Sequence, residues 1–169
     1  MNINIKKRKD MDLKNLITHY KKCLNSLGEE AILIGEIPDG ATDFSEELAA
    51  LLTPSHKDFL KICDGGFFGD IVLWNSYEIL DSQYCVPEHL QNTAYEIGQI
   101  LYEPLFMDKT TQTVLFLAEN YADMNEFRTD LPTFIKDFAF GENYRAAIIP
   151  HCEGDSWWDF LQENRNINL

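Results

Sequence analysis

A chain of 169 residues, 45% hydrophobic and 25% charged, is long enough to bury a core as one domain without a staple. Its 28 acidic residues against 14 basic ones, a net charge of −14, argue against a role on nucleic acid or anionic membrane, where every phosphate contact needs a cation. No apolar run approaches the ~20 residues that span a bilayer, and no signal-peptide h-region follows the basic start, so the sequence predicts a cytoplasmic protein.

Residues 1–10 read as a flexible basic tail, since Lys6, Lys7, Arg8 and Lys9 repel one another and bring no apolar face. Residues 11–169 read as a single domain. From Asp12 onward Leu13, Leu16, Ile17, Tyr20, Leu24 and Leu27 recur at helical spacing, with Gly28 as the stop. Ala31 to Ile34 suits an edge strand or extended arm, closed by Pro38-Asp39-Gly40. Thr42 or Asp43 is placed to cap a helix with Glu46 and Glu47 in its first turn, and Thr53-Pro54 opens another that runs to Cys63. After Asp64-Gly65-Gly66 the texture becomes strand-like, from Phe67 to Trp74. Val86 to Tyr95 reads as a short helix or loop. Gln99 to Met107 and Thr113 to Ala118 read as two strands of an antiparallel hairpin. A helix with Phe134, Ile135 and Phe138, an extended segment from Ala146 to Pro150, and a terminal helix from Asp155 complete the chain. Helices, then strands, then helices give an α+β protein with a mainly antiparallel sheet, because strict βαβ alternation is missing.

The charge is distributed unevenly. Seven of the 14 basic residues lie in the first 22 positions, whereas residues 23–169 hold 26 acids and seven bases, a net of −19. Such a body attracts a basic protein.

Chemistry-bearing patterns are sparse. Cys23, Cys63, Cys85 and Cys152 form no C-x-x-C pair and read as reduced, mostly buried thiols. His19, His56, His89 and His151 are isolated, so no metal or cofactor site is expected. His151-Cys152-Glu153-Gly154-Asp155 gathers an imidazole, a thiol and two carboxylates, yet neighbours on an extended chain face opposite sides, so no catalytic residue is assigned.

The stretch Leu51-Leu52-Thr53-Pro54-Ser55-His56-Lys57-Asp58-Phe59-Leu60-Lys61-Ile62-Cys63-Asp64-Gly65-Gly66 resembles the signature of the SUKH superfamily, which includes yeast cell-wall-assembly regulators and many bacterial toxin-immunity proteins. Pro54, Phe59, Leu60, Asp64, Gly65 and Gly66 carry the likeness. Thr53 separates Leu52 from Pro54 where the family usually has the two adjacent, and Asp64 stands where asparagine is commoner. The resemblance spans roughly residues 12–140. It implies helices packed around one curved sheet, no catalytic residue, and a protein-binding role, in bacteria most often immunity by covering a cognate toxin. The expected partner is accordingly a basic protein such as a nuclease-type toxin domain, bound by a monomer or homodimer. A regulatory or scaffold module with no toxin partner is the alternative. Asp70, Glu78 and Asp81, in loops after the glycine turn, are the expected partner-binding carboxylates. Trp74, Trp157 and Trp158 are candidate interface anchors; one of Trp157 and Trp158 is expected to pack inward with its neighbour at the rim of the terminal helix, and Trp158 is the expected aromatic anchor.

Overall fold

A computed structural model describes residues 11–117, 126–149 and 153–166. The basic tail, Ala118, Pro150 and the His151-Cys152 pair lie outside the described residues. The periodic stretch after Asp12 forms helix α1, Leu13–Asn25, with Leu16, Ile17, Tyr20 and Leu24 buried. Burying one such side chain is worth about 1.5–3 kcal/mol, so this stripe fixes the helix against the body. The Ala31 to Ile34 run is no strand: Gly28–Leu33 is a 3-10 helix with Glu29 and Glu30 in its first turn, and strand β1 is Gly35–Glu36 alone. Helix α2, Glu46–Leu51, is capped by Ser45, whose Oγ accepts the Leu48 N–H at 3.1 Å; Thr42 and Asp43 lie too early to do so. Helix α3, Pro54–Ile62, begins on its proline as expected and buries Phe59 and Leu60.

The sheet is a seven-stranded antiparallel meander in the order β1 to β7. Its remaining strands are β2 (Gly66–Phe68), β3 (Ile71–Leu73), β4 (Ala94–Ile100), β5 (Glu103–Asp108), β6 (Thr113–Phe116) and β7 (Phe127–Asp130). The expected single strand over Gln99–Met107 is folded in two. The chain reverses at Leu101 and Tyr102, whose φ angles of 50° and 71° give the double left-handed turn that hairpins favour, here without glycine. Strand pairing from Ile100–Glu103 outward and a Leu101 N–H bond to the Asp70 carbonyl, 3.1 Å, hold it there. Strand β7 has no clear alternation to announce it. It is tied to the β5–β6 hairpin by Arg128, which pairs with Asp108 at 2.8 Å.

Cross-strand partners share a face, so the register sorts the sheet into two sides. Phe68, Ile71, Leu73, Tyr95, Ile100, Leu105, Met107, Val114 and Phe116 face the helices in the main core. On the outer side Val86 and Leu90, from the segment before β4, cover Ala94, Phe106 and Leu115. This cover lies over β4 to β6. The outer side of β1 to β3 is where the surface cleft described below opens.

Beyond β7 the chain turns through α4, Leu131–Thr133, capped by Asp130, into a π-helix, Phe134–Ala139. The expected extended segment from Ala146 is helical instead, a π-helix over Tyr144–Ile148. Helix α5, Ser156–Glu163, starts on Asp155, whose Oδ1 accepts the Trp158 N–H at 2.8 Å. It docks against α1: the His19 Nε2–H donates to the Asn164 carbonyl at 2.8 Å, and Tyr20 meets Phe160 with ring centroids 6.0 Å apart. The architecture is therefore α+β, with one antiparallel sheet and helices on its core side.

Candidate functional site

Helix α3 and the glycine turn after it lead into one cleft, to which Asp64 and Gly66 contribute. Helix α3 is anchored at its start by Tyr95 of β4, whose hydroxyl accepts the Thr53 N–H at 3.1 Å and donates to His56 Nδ1 at 2.9 Å. Burial drives the imidazole down to about 3 and the phenol up to about 12, so both are neutral and the pair is a structural tether. At the other end of α3 the chain turns through Gly65, at φ 73°, where an added Cβ would lie 2.6 Å from the Leu73 carbonyl oxygen. Asp64 then uses both carboxylate oxygens on Ser76, Oδ1 to its N–H at 2.8 Å and Oδ2 to its hydroxyl at 2.9 Å, which fixes the loop after β3.

That loop is closed by a local exchange. Asn75 Oδ1 accepts the Tyr77 and Glu78 N–H groups at 3.0 Å, and Glu78 Oε2 accepts the Asn75 N–H at 3.1 Å. The result is a cleft of about 350 Å³ on the outer side of β1 to β3, lined by Glu36, Asp39, Asp64 and Glu78 together with Phe67, Trp74 and Tyr77. Tyr77 is 87% exposed and Phe67 39% exposed, so the aromatic wall is open to a partner. Lys21 pairs with Asp39 and, chiefly through that hydrogen bond, holds its carboxyl below the usual range. Trp74 is aimed by a buried group: its Nε1–H donates to Glu96 Oε1 at 3.2 Å. The Glu96 backbone is in turn clamped by Gln83, which donates to the Glu96 carbonyl and accepts its N–H, both at 2.9 Å.

Carboxylates beside open aromatic faces suit a cationic side chain, through charge-assisted hydrogen bonds and cation–π contact. The carboxylates are too dispersed for a metal ion: among the described residues no group of three or more His, Cys, Asp and Glu could hold one. No described helix is long and apolar enough to cross a membrane. A scan against protein-family models and searches of curated proteins and of solved structures find no match.

Of the residues singled out from the sequence, Glu78 lines this cleft, and Asp64 and Gly66 line it as part of the signature. Asp81 is exposed on the short 3-10 turn Leu80–Ser82, outside the lining. Asp70 is in the β2–β3 turn, at the far end of those strands. Its N–H donates to the Tyr144 hydroxyl at 2.9 Å, and burial, with Asp155 adding to it, raises its carboxyl. Trp158 is a correction: at 7% exposure it packs inward like Trp157, with the Arg145 guanidinium 6.0 Å from its ring centroid, so it offers a partner almost no surface. The cause is the neighbouring π-helix, whose Arg145 reaches the flank expected to face solvent. Against the expectation of mostly buried thiols, Cys85 is exposed and Cys23 half-buried, whereas Cys63 is buried and its thiol is pushed up to about 12 by that burial. Glu36, Asp39 and Tyr77 were not singled out. They come from two separate stretches, and only the β1–β2–β3 pairing unites them.

Proposed function

We propose that this chain is a non-catalytic protein-binding module of the immunity type, which binds a basic, nuclease-type toxin domain and neutralises it by occlusion. The observation that carries the reading is the cleft on the outer side of β1 to β3, where Glu36, Asp39 and Glu78 stand beside the exposed Tyr77 and Phe67 rings and the partly buried Trp74. A nuclease grips phosphates with lysines and arginines, and those side chains find carboxylates and aromatic faces here. The acidic body speeds encounter with such a surface, and covering the toxin's cationic groove excludes its substrate. The resemblance of Leu51 to Gly66 to the SUKH signature supports the same reading, and Asp64 and Gly66 of that stretch line the cleft.

The test is capture of partners by the full chain from its source lysate, including products of neighbouring genes, followed by a nuclease assay at increasing ratios of this protein. Stoichiometric silencing of a basic toxin, lost on Glu36→Gln together with Glu78→Gln, is the expected result. Recovery of cell-wall or regulatory proteins alone, with no inhibition, would replace this reading with that of a scaffold module.

A further inference from the structure

Next to the acidic cleft is a second groove, about 720 Å³, formed by Leu24, Ala31, Ile32, Ile37 and Phe67 with backbone from Gly28 and Gly35. Glu36, Pro38 and Phe67 line both, so the two hollows lie on either side of one ridge. Ile32 and its neighbour Leu33 are 81% and 79% exposed, two adjacent aliphatic side chains that the fold leaves in water. Single exposed aliphatics are ordinary, but Ile32 lines an apolar groove beside a charged cleft and Leu33 extends the exposed apolar surface next to it, which marks a contact surface. The 3-10 helix Gly28–Leu33 presents them, and its burial pattern holds no buried residue, so they do not serve the core.

We infer that this groove is the apolar half of the partner site, and that the segment it receives carries an aliphatic or aromatic anchor next to the lysine or arginine that enters the acidic cleft. The inference rests on the reading of the cleft as a partner site and adds the sequence character of what binds. Charge selects the occupant. Glu29, Glu30 and Glu36 are exposed around the groove, and a two-fold contact between copies of this chain would set those carboxylates against themselves. A cationic partner meets them favourably. Recognition falls to side chains, because β1 is two residues long and is followed closely by Pro38, which gives an incoming strand little ladder to extend.

The experiment titrates the full chain with three short fluorescent peptides: lysine and arginine with leucine and phenylalanine anchors, the same cations with serine at the anchor positions, and the anchors without cations. The anchored cationic peptide binds about tenfold more tightly than its serine counterpart, the scale of one buried apolar anchor. In Ile32→Ser with Leu33→Ser that advantage disappears while the serine peptide binds as before; Ile32→Gln alone, at an exposed side chain that lines the groove, reduces it in part. An advantage that survives the double substitution, or none in the native chain, overturns the inference and leaves the cleft reading standing. Cationic peptides that fail to bind, or that bind equally after Glu36→Gln with Glu78→Gln, overturn the cleft reading and this inference together. A native dimer that sedimentation finds converted to monomer by Ile32→Ser with Leu33→Ser assigns the patch to a second copy and also overturns it.

Discussion

Replacing Glu96 with glutamine isolates a carboxyl that the fold buries against its nature. Glu96 is 3% exposed, Oε1 is bonded to the Trp74 indole, and Oε2 makes no hydrogen bond of normal geometry. Burial pushes its carboxyl up to about 7, with the indole bond and the Cys85 backbone amide pulling the other way. The sign follows from proton counting. Below the ordinary glutamate range both folded and unfolded chains hold the proton, and this site's contribution to stability is fully present. Between that range and about 7 the unfolded chain releases its proton first, so stability falls as pH rises through the folded value. At about 1.4 kcal/mol per unit, the loss between about pH 5 and about pH 8 is roughly 2–3 kcal/mol. Glutamine keeps the shape and an oxygen for Trp74 but carries no proton to lose. Urea unfolding of both proteins across that range therefore gives a difference in stability that moves by roughly 2–3 kcal/mol in favour of Glu96→Gln as pH rises, while every other carboxylate cancels. Parallel profiles, within about 0.5 kcal/mol throughout, would refute the argument that burial governs this site.

Tyr95→Phe leaves the Thr53 N–H and His56 Nδ1 without the hydroxyl they share, and lowers stability by about 1–3 kcal/mol in denaturant unfolding. Gly69→Ala destabilises by at least about 1 kcal/mol, because φ is 62° and the new Cβ would lie 2.0 Å from the Tyr144 hydroxyl oxygen; combined with Tyr144→Phe the costs are less than additive in a double-mutant cycle. Association of the basic partner slows as salt is added, and Glu36→Gln with Glu78→Gln flattens that dependence in stopped-flow measurements; a rate constant indifferent to salt in the native chain contradicts electrostatic steering.

What could be read from the sequence was what is decided locally. Helix α3 was visible because Pro54 suits the first turn and Phe59-Leu60 mark its buried face, and the Gly65-Gly66 reversal because a positive φ favours glycine. The α1 stripe and the Asp155 cap follow the same logic. The reversal at Leu101-Tyr102 was hidden, since those residues enter the left-handed region only under the strand register on either side. Strand β7 was hidden too, because Phe127-Arg128-Thr129-Asp130 becomes a strand through its pairing with β6 and the Arg128 tie to Asp108. At the candidate site Glu78 could be singled out from the glycine turn. Glu36 and Tyr77 could not, being 41 positions apart and joined only by the sheet.

The β3–β4 seam divides the meander into a narrow side, where β1 and β2 share two paired positions and β2 and β3 three, and a broader one. Strands β3 and β4 are joined by three cross-strand partners, Ile71 to Ile100, Val72 to Gln99 and Leu73 to Gly98, whereas β4 and β5 run alongside each other for six. The cleft and its apolar neighbour are both on the β1–β3 side of that seam, while Glu96, which aims Trp74, is on the other. The seam is held by more than its ladder: Phe68, Ile71 and Leu73 are buried in the core shared with the helices, and Asp70 is bonded to Leu101 and Tyr144. The Trp74 indole adds one more tie across it. The pose of the Trp74 ring is therefore set by a carboxyl outside the cleft's lining, so a change at Glu96 reaches the cleft without altering any residue that lines it.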